Sequence, residues 1–448
     1  MTQHAFLAAH GLFDARAPRY TSYPPAPHFT DAVGPQRMED WLRATPAGTR
    51  LSVYAHVPFC RRLCWFCASR TQGLKTDTPL APYVAALLSE ARMVADLLPQ
   101  GTRAGQVTLG GGTPTILPPD LLRELLTGLR DGFAAAEEAI VSVEVDPTML
   151  DDGRLDAMAE AGLTRATLGL QDFDPTVQAA IGRVQTEAET RTAVEGLRAR
   201  GVRRIKMDLL YGLPHQSRDS MTRTVDAALS MGPDRIALYG YAHVPWASRR
   251  QLMIDKAALP DGPTRLRLFD LAAARIVDAG YIRVGVDHFA RPDDPLVDAA
   301  ARGALRRTFQ GYTEDAAPVL IGLGASAVSR LPQGHAQNAA RTADWAARIA
   351  AGRLATVRGH AMTADDDLRG DLIQQLLCHF AAHPRDFGDR AGAARDLLTR
   401  LAARWPAAVE TDAEGGVTLR PEAWPLVRLV AMDLDAYAKP VRRACIVA

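Results

Sequence analysis

At 448 residues the chain exceeds the size at which one hydrophobic core keeps growing, so one large domain with a smaller companion is expected. A hydrophobic content of 47% with 23% charged residues is ordinary for a globular protein, and a net charge of +1 gives no overall field for nucleic acid or membrane, so an anionic ligand must meet local charge. Five cysteines, an odd number, form no disulfide framework and suggest a reducing cytoplasm, while the lack of a basic start before a long apolar core, or of an uncharged apolar run of about eighteen residues, argues against export and membrane spanning.

Residues 1–45 are rich in Pro, Ala and aromatics without sustained helical period, and are expected to form an extended arm. Within it PRYTSYPPAPHF (18–29) sets Arg19, Thr21, Ser22 and two tyrosines among four prolines. Over 46–290, short apolar or β-branched runs alternate with segments of helical period, the pattern of βα units around a parallel sheet. Six strands are predicted at 51–57, 106–109, 140–145, 166–170, 205–210 and 236–241. Between them, Pro82 suits a first helical turn, followed by Val84, Leu87, Leu88, Ala91, Ala95 and Leu98 at three- and four-residue steps. A helix over 190–200 stops at Gly201, and Leu266, Phe269, Ala273, Ile276 and Val277 lead to Gly280. Residues 291–360 read as an extension of the barrel, with apolar segments at 284–289 and 319–328 near GVDHFARPDD and FQGYT. From 361 to 448 the pattern is helix (368–380), helix (391–405), hairpin (409–411 with 417–419 around Gly415-Gly416) and helix (424–437). That order resembles a small winged-helix-like cap, but neither the second helix nor the hairpin is notably basic, so nucleic acid is not an expected partner.

Chemistry in a fold of this kind is carried at the carboxyl ends of the strands. There this sequence is unusually polar or glycine-rich. The first strand runs into Cys60, Cys64 and Cys67 at Cys-x3-Cys-x2-Cys spacing, and the second into Gly110-Gly111-Gly112-Thr113-Pro114-Thr115. The third holds Glu144 and Asp146, the fourth leads to Gln171-Asp172, the fifth bears Asp208, and the sixth reaches Tyr241-Ala242-His243. Packing alone asks for no acids at these places. Three thiolates are one short of the four that a cubane iron–sulfur cluster takes from an ordinary ferredoxin, which leaves one iron open. Zinc is the rival reading, but a closed zinc site wants four ligands and no second pair follows; His56 as a fourth ligand, or simply buried thiols, are the others.

The cysteine spacing, with Phe66 before the third cysteine, resembles the radical S-adenosylmethionine (SAM) superfamily, in which the open iron is chelated by SAM. That resemblance implies a partial (β/α)6 barrel and a [4Fe-4S] cluster on Cys60, Cys64 and Cys67. Beside it, the triple glycine suits close approach of backbone to the amino-acid end of SAM, although alone it is a turn. Glu144 in IVSVEV and Asp208 in IKMDLLYG are acids inside apolar strands and need a cationic or hydrogen-bonding partner, either a ligand or a structural salt bridge.

The likeness narrows further. RYTSYPPAPHF, YAHVPFCRRLCWFC, GGGTPT, VEVDP, LGLQDF with IGRVQ, DLLYGLP, YAHVP, GVDHFARPDD, FQGYT and LGASAVS occur in the order of the oxygen-independent coproporphyrinogen III oxidase (dehydrogenase) family, over nearly the whole chain. The resemblance implies a cytoplasmic radical SAM oxidoreductase of heme biosynthesis. It would decarboxylate two propionates of coproporphyrinogen III to vinyl groups, giving protoporphyrinogen IX, with two SAM molecules and a low-potential electron donor, and a monomeric state is expected. By position, Tyr54, Gly111 and Glu144 match the first SAM site with Val328 near it, and Phe66 belongs to the cluster loop with its backbone toward adenine. Gly112, Thr113, Gln171, Arg183, Asp208 and Ala242 match the second, with a cap on an outer loop as the lesser alternative for Arg183. Arg19, His288 and Arg291 are the candidate cations for substrate carboxylates; Tyr54, Glu144, Arg19, Ser69 and Gln310 of FQGYT are the candidate catalytic residues. One departure stands out: where the family motif has a fourth cysteine, this chain has Ser69. It keeps open a diverged radical SAM paralogue, such as a heme-related methyltransferase or heme-degrading enzyme, and a non-catalytic heme-trafficking protein.

Overall fold

The computed structural model describes residues 2–438. Its frame is a run of parallel strands, Arg50–Val57 (β1), Arg103–Gly111 (β2), Ile140–Val145 (β3), Arg165–Gln171 (β4), Arg204–Tyr211 (β5) and Arg235–Gly240 (β6), paired in chain order. All six predicted strands are present. β2 is longer than its apolar run because Gly105, Gly110 and Gly111 belong to it despite poor strand propensity. Helices Leu80–Leu97, Pro119–Gly132, Asp152–Glu160, Glu187–Ala199, Arg218–Ser230 and Gly262–Asp278 follow the strands, and their apolar stripes pack on the sheet in one core. Thr186 opens one of them with a capping box. The sheet stays open. Val319–Leu323 pairs parallel to the outer side of β1 as a seventh parallel strand. Antiparallel strands extend both edges, to Thr356–Ala361 on one side and Ile282–Val284 on the other. The apolar segment 319–328 is therefore divided: Gly324 (φ +94°) and Ser326 (φ +67°) turn the chain back into Val328–Leu331.

The N-terminal arm differs from the extended expectation. Gln3–Ala9 is helical, with Thr2 accepting from the Ala5 N–H at its start, and Pro35–Arg43 is helical with Met38, Trp41 and Leu42 buried on one face. The latter three join the barrel core. Leu7, Leu12, Ala17, Tyr20 and Tyr23 instead share a core with the C-terminal helices Ala364–His379 and Ala391–Arg404. The hairpin Val409–Thr411 and Val417–Leu419 forms as predicted, with Ala381–Ala382 added alongside. The last predicted helix, over 424–437, is shorter: Pro425 sits in a 3₁₀ stretch, Pro421–Leu426, and the α-helix covers only Val427–Met432. Cys378 is a buried free thiol, and Cys445 lies outside the described residues. Among the described residues no helix is long and apolar enough to cross a membrane.

Candidate active site

The carboxyl ends of β1 to β6 open onto two adjoining cavities. The smaller, about 270 Å³, is walled by Cys60, Cys64, Cys67, Phe66, Ser69, Gly111, Gly112, Thr113, Glu144, Asp146, Gln171, Arg183 and Asp208. The larger, about 540 Å³, shares Phe66, Cys67, Ser69, Glu144, Gln171 and Asp208 and adds Arg19, Ala242 and Gln310. Residues far apart in sequence thus meet because successive strands deliver them at the same height.

Cys60 ends a short bridge, Phe59–Cys60, that pairs with Gln72–Gly73 and closes the cysteine loop at its base. Cys60 and Cys64 are buried, Cys67 is half-buried, and none is in a disulfide. The Thr113 hydroxyl donates toward Cys60 Sγ at 3.6 Å, and Arg183 Nη1 donates to Cys64 Sγ at 3.5 Å. Burial pushes the Cys60 thiol up, against the Thr113 hydrogen bond. Arg183 also donates to Gly169 O at 2.7 Å and Gln185 Oε1 at 3.0 Å, and lies 3.4 Å from Asp146 Oδ2. It is an interior residue rather than the cap of an outer loop. No three His, Cys, Asp or Glu side chains among the described residues converge as for a single metal ion. Both ring nitrogens of His56 are engaged: a carbonyl only accepts, so Nε2–H donates to Arg70 O (3.0 Å) and Nδ1 accepts from the Tyr54 hydroxyl (3.2 Å). His56 is therefore committed elsewhere than to a metal.

The triple glycine is required by the protein's own groups. A Cβ on Gly110 would lie 2.8 Å from Glu144 Oε1 and 2.9 Å from Tyr54 Cε2, one on Gly112 2.5 Å from Phe59 O, and one on Gly111 (φ +112°) would overlap the His56 ring. In return Gly111 N–H donates to Glu144 Oε2 at 2.8 Å. Burial raises the Glu144 carboxyl above the usual carboxylate range, the Gly111 hydrogen bond opposes this, and Asp208 adds to it. Asp208 Oδ1 stands 3.1 Å from Lys206 Nζ yet has no hydrogen-bond partner. Asp208 is thus salt-bridged and lines both cavities.

Not every candidate reaches them. Tyr54 is buried beneath Gly110 with its ring edge against Phe309 (centroids 4.8 Å apart) and lines neither cavity. Val328 lines a third cavity, about 440 Å³, which adjoins the larger one at Thr21, Arg307, Thr308 and Phe309 and is roofed by 20–29 of the arm. His288 is buried between Tyr239 and Tyr312, with Nδ1 2.9 Å from Asp287 Oδ1. Arg291 is turned to Pro233 O (3.1 Å) and Gly232 O, at the entry of β6 rather than its exit. Neither lines these cavities, because GVDHFARPDD forms the strand His288–Ala290, one in from the sheet edge, and the turn after it. Arg19 does reach the larger cavity, donating to Gly240 O at 2.6 Å, and Gln310 Nε2 is buried there without a partner. The cations missed are Arg165, Lys206, Arg235 and Arg307 on the same wall. Arg165 and Arg235 pair with Glu314 at 2.5 and 3.1 Å, while Arg307 leaves Nε and Nη1 without hydrogen bonds. Of these only Lys206 carried a signal, a charge inside a predicted strand like Asp208; Arg165 and Arg235 stand one residue before predicted strands and Arg307 lies in none.

Comparison with known proteins fits this architecture. Residues 54–228 match the radical SAM superfamily. The fold and site are those of a radical SAM protein, and that family carries a [4Fe-4S] cluster and SAM. Over 441 residues, 98% of each chain, the sequence is 50% identical to the oxygen-independent coproporphyrinogen III oxidase of Paracoccus denitrificans. It is 49% identical, again over 98% of both, to that of Cereibacter sphaeroides. The solved coproporphyrinogen III oxidase HemN of Escherichia coli superposes with a TM-score of 0.89 at 32% identity, covering 94% of this chain and 98% of that one. The chain belongs to the oxygen-independent coproporphyrinogen III oxidase family.

The residues present fit the cluster. Three free thiols front one cavity, two of their sulfurs already receive hydrogen bonds, and soft thiolates are the ligands iron–sulfur clusters select. Buried Arg183 Nε and Asp208 Oδ1 in the same walls lack hydrogen-bond partners, which suits a polar, charged occupant.

Proposed function

We propose that the protein is an oxygen-independent coproporphyrinogen III oxidase, converting two propionates of coproporphyrinogen III to vinyl groups. The observation that carries this reading is the sharing of Glu144, Asp208 and Cys67 between a thiol-walled cavity and a larger one walled by Arg19, Lys206 and Arg307. When bound, the cluster and SAM supply an electron and a carbon-centred radical that takes a hydrogen atom from the substrate side chain. Cys60, Cys64 and Cys67 hold the cluster. Arg183 sets a positive charge beside Cys64 Sγ and donates a hydrogen bond to it. Glu144, fixed by Gly111 N–H, and Asp208 accept hydrogen bonds from the ammonium and ribose groups of two SAM molecules; a cation there restores the charge that burial disfavours in Glu144. Gly112, Thr113, Gln171 and Ala242 shape the second SAM site, and Phe66 backs the first. Arg19 and Arg307 pair with substrate carboxylates, which enter a dry site only with charged donors. Each propionate would lose a hydrogen atom to the carbon-centred radical, one electron to a one-electron acceptor and its carboxylate as carbon dioxide, and residues 20–29 keep water from the radical.

In this reading 1–45 covers the site, 46–290 performs the chemistry, 291–360 extends the wall and 361–448 anchors the arm. The protein works as a cytoplasmic monomer on electrons from a low-potential donor. End-to-end relatives named for this oxidase do not favour a heme-trafficking or diverged reading. The test is anaerobic incubation of reconstituted protein with SAM, reductant and coproporphyrinogen III, read by porphyrin chromatography: protoporphyrinogen IX should form, and Cys64→Ala should abolish both cluster and product. A normal cluster in Cys64→Ala, or 5′-deoxyadenosine without any vinyl product in the parent, would overturn the reading.

A further inference from the structure

Three loops surround the cysteines and are laced together by hydrogen bonds. Ser248 Oγ donates to Cys67 O and Gln251 Nε2 to Phe66 O, both at 2.8 Å, and Arg250 Nη1 donates to Thr71 Oγ1 at 2.8 Å. On the other side Trp65 N–H donates to Ile181 O at 2.9 Å and Arg62 to Val184 O. Segments 61–71, 181–184 and 244–254 therefore form one wall whose inner side holds the thiols. Its outer side is unusual. Among the described residues eight large hydrophobic side chains are exposed, and five of them, Leu63, Val184, Trp246, Leu252 and Met253, lie on these loops at 37 to 69% exposure. Apolar exposure gathered in one place marks an interaction site rather than chance.

The charge is gathered there as well. Segments 61–77 and 244–256 carry seven Lys or Arg against two Asp, a net +5, whereas the whole chain carries +1. Arg62 and Arg250 are turned into the wall, but Lys75, Arg249 and Lys256 are exposed, and the Arg16 guanidinium lies 5.7 Å above the Trp246 ring. Apolar contacts in a cationic surround match an acidic protein, since complementary charge steers encounter and apolar side chains hold the contact. The backbone of the cysteine loop is directly behind, one hydrogen bond from segment 244–254.

Resting on the cluster assignment above, we propose that this wall is the docking surface for a small acidic one-electron carrier protein. A porphyrinogen is anionic too, but its cations face inward, on the larger cavity. The carrier delivers one electron per encounter to the thiolate-bound cluster through the cysteine loop, and leaves oxidised by one electron.

The test uses reconstituted holoenzyme and flavodoxin, an acidic FMN protein, as the probe. Lys75→Glu/Arg249→Glu and Leu252→Ser/Met253→Ser alter the outer side only; Arg353→Glu, in the exposed turn after the helix Thr342–Ala350, is the control. Binding to the parent should weaken with salt, and each double variant should raise the Kd at least tenfold and slow cluster reduction by flavodoxin hydroquinone by a similar factor. The same variants should keep full iron content and cleave SAM at the parent rate when dithionite replaces flavodoxin, and the control should match the parent throughout. No binding of flavodoxin to the parent, unchanged Kd in both double variants, or equal losses with dithionite would each overturn the proposal. Loss of the cluster itself, seen as lost iron and visible absorbance in the parent, would instead count against the cluster assignment.

Discussion

Arg183 joins three separate stretches of chain at one guanidinium: the cysteine loop through Cys64 Sγ, the exit of β4 through Gly169 O, and the β3 turn through Asp146. A donor to a ligating sulfur stabilises the more negative, reduced cluster, so Arg183→Leu should lower the midpoint potential by on the order of tens of millivolts. Protein-film or mediated redox titration would read it, and an unchanged potential would assign Arg183 to packing alone. Ser69 gives a different kind of prediction. It is exposed and borders both cavities, and its hydroxyl neither ionises near neutral pH as a thiol does nor donates sulfur electrons. Ser69→Cys should leave cluster content and SAM cleavage unchanged and increase vinyl formation several-fold. Equal vinyl formation by both proteins would make Ser69 a neutral variant. The cysteines, Glu144 and Asp208 were legible because packing gives no reason for thiols or acids at apolar strand ends. Arg307 and Arg165 were not, because an arginine at a strand start usually faces water and only the third dimension turns it inward.

At the scale of elements, the helix Leu80–Leu97 carries Glu90 on its buried face. Its carboxylate accepts from Gly324 N–H (2.6 Å) and Trp345 Nε1–H (3.0 Å) on one oxygen and from Asn338 Nδ2 (2.7 Å) on the other. One side chain thereby pins the turn after the seventh parallel strand and the helix Thr342–Ala350 to the barrel. Burial nonetheless pushes this carboxyl from 4.5 up to about 7, the three donors opposing it. The folded chain then retains a proton that the unfolded chain releases, so Glu90's contribution is fully favourable below pH 4.5 and declines as pH rises to about 7. Thermal unfolding should show the melting temperature falling over that interval, with the slope reduced in Glu90→Gln. An identical slope in the variant would show that Glu90 is ionised throughout. The strands themselves were readable from period and length. What was not readable was where 319–328 would fold back, since Ser326 at positive φ carries no compositional mark.

At the scale of the molecule, the arm belongs to the far end of the chain. Leu7 and Leu12 are fully buried among C-terminal side chains, Tyr20 Oη donates to Asp435 at 3.0 Å, and Ala436 N–H donates to Tyr23 Oη at 3.0 Å. Leu12→Ala should therefore cost about 3 kcal/mol of stability, within the range for large-to-small core changes. Limited proteolysis should then open the helices Ala364–His379 and Ala391–Arg404 before it opens the barrel. First cleavage within the barrel would mean that the two cores unfold as one. An interaction spanning 415 residues also fixes an order of events during synthesis. The arm leaves the ribosome before the barrel, yet its seat is translated after it. The cysteine loop and six strands are complete long before residues 364–434 exist to receive the arm. Over that interval the nascent barrel lacks the roof that residues 20–29 place over the third cavity, which gains it only once 364–434 have been made.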